Sequence, residues 1–181
     1  MRLPRAIRDV RTIRALLEGA EDEALRAGVG EPGAEHLLLA ALALPEGSAR
    51  RAFARLDPHV DLDRMREAIT TQHTAALRAV GIDVSDARTV GVIPGTAHPE
   101  TAPAANGVYR AGASARDAFR VAADLARTPP RVPLCGAHVV AAVAGIEHGT
   151  APRTLHTLGI DPDALATAAH AELAEPAEQT R

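Results

Sequence analysis

The sequence predicts an all-α protein made of two four-helix repeats, and three observations carry that reading. Alanine and leucine dominate the 181 residues, with 40 alanines, and β-branched residues are dispersed; such a composition favours helix. Apolar residues recur at spacings of three and four, the period of a helix with one buried face. The chain also matches itself at an offset of 102, where ten of the 43 ungapped pairs between 14–56 and 116–158 are identical. Six of the ten are not alanine: Arg14/Arg116, Asp22/Asp124, His36/His138, Gly47/Gly149, Arg51/Arg153 and Leu56/Leu158. Agreement in class is stronger evidence still, at Leu37/Val139, Leu38/Val140, Leu44/Ile146, Ser48/Thr150 and Phe53/Leu155. A two-residue deletion then sets Val60-Asp61-x-Asp63 on Ile160-Asp161-x-Asp163.

The elements follow in order. A first helix is expected over about Asp9 to Ala27, with Val10, Ile13, Leu16, Leu17, Ala20, Ala24 and Leu25 in one stripe, stopped by Gly28 and Gly30. The second starts near Ala34 and carries HLLLAALAL to Leu44. It is apolar nearly all round, so it should be a buried central helix. Ser48 is a good N-cap for a third helix to Leu56, and Asp61 for a fourth with Leu62, Met65 and Ile69 inward. The stretch Thr74 to Ala79 reads as a further helical piece ending before Gly81. From Gly91 to Gly112 the chain carries Pro94, Pro99, Pro103 and several glycines, which reads as an extended linker between halves.

The second half repeats this grammar. Ser114 is expected to cap a helix reaching Arg127, with Ala118, Phe119, Ala122 and Leu125 inward. After Pro129, Pro130 and Pro133 comes a very apolar helix from His138 to Ile146, then a short one from Thr150 to Leu158. Asp161 and Pro162 supply an N-cap and a first-turn proline for a last helix to about Leu173. The expected organisation is an extension over 1–8, a first repeat over 9–80, a linker over 81–113, a second repeat over 114–174 and a frayed tail over 175–181. Two such units should pack as a pseudo-two-fold pair, each covering the other's remaining apolar surface.

Composition removes several functions. The net charge is −3 with a pI near 6.2, unlike a dedicated nucleic-acid binder. Aromatics are limited to Phe53, Tyr109 and Phe119, too few for a base-stacking platform. All twenty basic residues are arginine, so P-loop and Schiff-base lysine mechanisms drop out. The single Cys135 excludes an internal disulfide and a multi-cysteine zinc site. The histidines show no HxxxH or HExxH spacing, and there is no GxSxG elbow. No metal, cofactor or catalytic group is therefore expected. Without a secretory h-region or an apolar run near the roughly 20 residues of a membrane span, the expected compartment is the cytoplasm, with no membrane partner.

The segment GAEHLLLAALALPEGSARRAF resembles the GTEHLLLALL…EG…A signature of the Clp N-terminal repeat family. VDLDRMREAI and GIDPDALATAA resemble that family's GVDLDALR segment. The likeness spans 9–70 and 114–173, the first repeat matching the signature more closely than the second. It implies the double-repeat N-domain of Hsp100 unfoldases, a docking module for adaptors and substrates without catalytic role. Some members of the family recognise phosphorylated arginine, and some are targets of cyclic-peptide antibiotics. The sequence has no Walker motif, so the expectation is a stand-alone Clp-N-like module, not an unfoldase. It would bind a protein or peptide ligand in a groove between its halves: a Clp ATPase or protease, an adaptor, or a cyclic peptide. A decoy sequestering a Clp-targeting peptide is the rival binding role. An enzyme using Glu35 as acid or base is the rival of another class, with no second catalytic group in view.

The candidate ligand-binding residues are Ala34, Glu35 and His36. An acid in the first turn of a helix is favoured by the dipole by about 0.3–1 kcal/mol, which by itself accounts for Glu35. The resemblance adds a contact to a bound arginine, and a carboxylate can hold a guanidinium through two parallel hydrogen bonds. The family's threonine before this glutamate is Ala34 here. The counterparts Gly136, Ala137 and His138 lack the carboxylate, so at most one acidic site of the usual pair survives. His36 and His138 could form a paired ligand, although a histidine hydrogen-bonded between helices explains them more simply. Cys135 reads as a small buried thiol, and Arg50, Arg51 and Arg153 as a solvated helix face.

Overall fold

The computed structural model describes residues 4–79, 111–129 and 131–174. Among them are eight α-helices and no strand. The first four are α1 (Arg5–Arg26), α2 (Ala34–Ala43), α3 (Ser48–Ala54) and α4 (Leu62–Ala79); the second four are α5 (Ala113–Arg127), α6 (Gly136–Ala144), α7 (Thr150–Thr157) and α8 (Pro162–Ala174). The linker expected over 81–113, apart from its last three residues, lies outside the described residues, as do Met1 to Leu3 and the tail over 175–181.

The repeat is visible in the packing. The starts of α2 and α6, and of α3 and α7, are 102 residues apart, and those of α4 and α8 are 100 apart, as the alignment requires. Helix α1 packs on α2 as α5 packs on α6, while α3 packs on α8 as α7 packs on α4, with α2 against α6 at the centre. The halves thus exchange helices, and one continuous apolar cluster runs through both, from Leu16, Leu38 and Phe53 to Val140, Leu155 and Leu165. Equivalent side chains meet across the exchange. Arg55 and Glu172 pair at 2.8 Å between α3 and α8, and Gln72 donates to Thr157 at 2.6 Å between α4 and α7.

The differences from the expected elements have local causes. Helix α1 begins at Arg5, four residues early, so half of the expected extension is helical. The Arg5 guanidinium donates to the carbonyls of Ala126 at 2.7 Å and Val132 at 3.1 Å, tying this end to the second half. Val10 and Leu25, expected inward, are 65% and 74% exposed. Packed chiefly on α2, α1 buries only the narrow stripe Leu16, Ala20, Glu23 and Ala24. Helix α4 runs unbroken to Ala79, so 74–79 is no separate piece.

Asp61 and Asp161 do cap, accepting from the amides of Arg64 at 2.8 Å and Ala164 at 2.9 Å. Ser48 and Ser114 do not cap their own helices. The N-cap positions are Gly47, whose φ of +74° suits only glycine without strain, and Gly112. Both serine hydroxyls serve the other half instead.

Candidate functional site

The two central helices begin alike. Gly33 accepts the His36 N–H at 3.1 Å, and its own N–H donates to His36 Nδ1 at 2.9 Å. Cys135 and His138 repeat both bonds at 3.2 Å. Each histidine therefore fills the third-position role of a capping box. The bond expected between helices is made within each one. Accepting through Nδ1 places the proton on Nε2, and both Nε2 atoms are buried without a hydrogen-bond partner. Burial lowers both side chains' affinity for a proton, holding His138 at about 4 and His36 below the ordinary imidazole range.

One place over, the helices diverge. Glu35 is buried, and its carboxylate curls back over Gly33, where a Cβ would stand 2.5 Å from Oε1. At the same place in α6, the small residue and the large one change positions: Cys135 replaces Gly33 and Ala137 replaces Glu35. Burial also raises the Cys135 thiol, whose Sγ lies 3.2 Å from His138 Nδ1, so it is not poised as a nucleophile.

The start of α6 is already filled. Glu46 accepts the Gly136 N–H at 2.7 Å through Oε1 and the Ser48 N–H at 2.7 Å through Oε2. Ser48 Oγ accepts the Ala137 N–H at 2.9 Å. Gly136 is needed for this approach, since a Cβ there would lie 2.8 Å from Ala49 Cβ and 3.0 Å from the Ala41 carbonyl. The chain's own carboxylate thus sits where the second half could have received an anion. At α2, the Ala34 N–H donates to Ser114 Oγ at 3.2 Å, so a hydroxyl from the second half stands beside the position where Ala34 lacks one.

Glu35 also stands apart from the other buried acids. Glu23 is held by Arg66 and Arg26, and Glu172 by Arg51 and Arg55. Arg51, expected on a solvated face, is thus an ion-pair partner. Arg50 is likewise committed, donating to the carbonyls of Leu42 and Leu44 at 3.3 and 3.2 Å. Among the described residues, no arginine pairs with Glu35. Its Oε1 lies 3.4 Å from His36 Nδ1 and 3.9 Å from His73 Nε2.

The structure thus brings Ala34, Glu35 and His36 together and adds His73, Ser114 and Glu46, which the sequence reading did not assign to a site. His73 had a signal, since Met65, Ile69 and His73 follow at spacings of four on the inward face of α4. Ser114 was masked by its fitness as a cap, and Glu46 carried no pattern. The interface between halves, where a groove was expected, is occupied by packed α2 and α6. An open cleft of about 410 Å³ lies instead in the first half, between α3 and the start of α4, lined by Arg50, Ala54, Pro58, Val60 and Leu62.

Among the described residues, no helix is long and apolar enough to cross a membrane. No curated protein matches the sequence. A family model described as the Clp repeat (R) N-terminal domain matches residues 11–90. Among solved structures, the chain is similar to the N-terminal domain of the caseinolytic protease associated chaperone ClpD from Arabidopsis thaliana. The two are 20% identical with a TM-score of 0.55, over 90% of this chain and 94% of that one. That likeness spans both halves, including the second, which the family model does not reach. Residues 11–90 therefore match the Clp repeat N-terminal domain family, and the two halves together have the Clp N-domain fold.

Proposed function

We propose that this chain is a non-catalytic docking module that receives a cationic side chain of a protein or peptide ligand at Glu35. The observation that carries the reading is a buried carboxylate with no arginine on it among the described residues, where the other buried carboxylates, Glu23 and Glu172, hold two each. A buried charge left uncompensated is costly, and a ligand guanidinium would compensate it through paired hydrogen bonds. The filled start of α6 limits the module to one such site per chain. The fold and the family match over residues 11–90 support a role in Clp-dependent proteolysis, with a Clp ATPase, an adaptor or a peptide as partner; the proposed compartment is the cytoplasm.

The test is calorimetric titration with free phosphoarginine and, separately, with hexaarginine. One site per chain is expected, lost in Glu35→Ala and retained in Ala137→Ser. Two equivalent sites, or one indifferent to Glu35, would overturn the reading. Native mass spectrometry after a pull-down distinguishes the roles: a co-purified Clp subunit marks an adaptor, and a bound small peptide marks a decoy.

A further inference from the structure

Helix α4 continues outward past the Glu35 cluster. Met65 and Ile69 on its inward row are buried, the His73 side chain one turn on is 30% exposed, and Leu77 a turn further is 39% exposed. Side chains four residues apart on a helix are neighbours, with Cβ atoms about 5–6 Å apart. The row therefore runs from the core to the surface and passes the carboxylate on the way, where His73 Nε2 stands 3.9 Å from Glu35 Oε1. A single exposed leucine is ordinary on a protein surface. What marks Leu77 is its register: a large apolar side chain stands one turn beyond the ring that borders a buried carboxylate, and no arginine among the described residues holds that carboxylate.

We propose that Leu77 is an apolar subsite of the Glu35 site, so that the module selects a peptide with an apolar side chain two residues from the arginine it docks. The proposal rests on the docking reading and adds the class of ligand. In an extended peptide, adjacent side chains point to opposite faces, and residues two apart share a face about 6.5–7 Å from each other. That step is of the same order as the helical turn of about 5.4 Å that separates Leu77 from His73. An arginine on Glu35 thus brings the side chain two residues away over Leu77, and the adjacent side chain points elsewhere.

Charge favours the same assignment. Arg78 follows Leu77 in the last turn of α4, so a second ligand cation placed there meets a like charge, and a neutral apolar side chain does not. The one uncompensated negative charge in the cluster is at Glu35, and the exposed apolar surface is at Leu77, which fixes which ligand group goes where. Removing roughly 50–60 Å² of apolar surface from water is worth about tenfold in affinity.

The test is calorimetric titration with four end-blocked peptides that each carry one arginine: GGRGLGG, its reverse GGLGRGG, GGRGSGG and GGRLGGG. Wild type should bind one of the first two about tenfold more tightly than GGRGSGG, and GGRLGGG no more tightly than GGRGSGG. In Leu77→Ser that preference should disappear, while the affinity for GGRGSGG stays within about twofold of its wild-type value. Leu77→Met, which restores an apolar side chain, should keep the preference. Equal affinity of wild type for the leucine and serine peptides, an equal gain with GGRLGGG, or a preference that survives Leu77→Ser overturns the subsite. In each of these cases the docking reading stands, because the serine peptide and hexaarginine still bind and both are lost in Glu35→Ala. Binding of hexaarginine with none of the four peptides also overturns the subsite. Failure of all five to bind the wild type overturns the docking reading and the subsite with it.

Discussion

Gly33 and Glu35 share one small volume, and the repeat divides that volume the other way at Cys135 and Ala137. Gly33 has an extended backbone (φ −94°) that any residue can adopt, so its need for glycine is steric and comes from the carboxylate 2.5 Å from its missing Cβ. Gly33→Ala should therefore force Glu35 out of its seat. Overpacking of this kind costs about 1–3 kcal/mol, read from the urea midpoint. In a Glu35→Ala background most of that cost should vanish, giving a positive coupling in the double-mutant cycle; an additive result would mean that the two residues do not compete for space. Glu35 and the degeneracy of Ala137 could be read from the sequence because the repeat places them at matching positions. The reciprocal Gly33/Cys135 exchange was visible as letters, but its meaning depends on a side chain folding back on its own helix, which spacing does not encode. Ser48 and Ser114 show the same limit. Their residue type suits a cap, and only the tertiary approach of the other half turns each hydroxyl outward to another helix's amide.

At the scale of the element, the helices differ in how much of their circumference the fold covers. Helix α2 touches α1, α3, α4, α5, α6 and α7, so its pattern is apolar all round and its burial was legible from the run HLLLAALAL alone. Leu38 is 1% exposed there. Leu38→Ala should cost about 2–5 kcal/mol as lost transfer energy plus a cavity. Helix α1 touches chiefly one neighbour, and its pattern could not show which of two adjacent apolar rows faces it. The row that includes Val10 and Leu25 lies on the solvent side. Val10→Ser and Leu25→Ser should change stability by no more than about 0.5 kcal/mol. A thermal melt of the three variants checks both claims: a large loss in Val10→Ser, or none in Leu38→Ala, would reverse the roles assigned to these helices.

At the scale of the whole molecule, the pseudo-two-fold puts one buried, neutral histidine at the start of each central helix, so acid acts on both halves. Each ring is fixed in one tautomer by the amide it accepts from, and burial disfavours its charged form. For His138 the folded value is about 4, against about 6.5 in an unfolded chain. The unfolded chain thus binds the proton more readily, and stability rises with pH between the two values. The contribution is complete above about 6.5 and is lost progressively as pH falls towards 4. For His138 alone it is on the order of 3 kcal/mol, at about 1.4 kcal/mol per pH unit. Urea unfolding at pH 7.0 and 5.0 should show a clearly lower midpoint at pH 5.0. His138→Gln supplies the test that isolates the ring. Glutamine at the third helical position can still accept the Cys135 amide, as in an ordinary capping box, but it does not titrate. The variant should keep most of its stability at pH 5.0 and lose much of the wild type's dependence on pH. If its midpoint falls between pH 7.0 and 5.0 as steeply as the wild type's, the acid sensitivity arises elsewhere in the molecule.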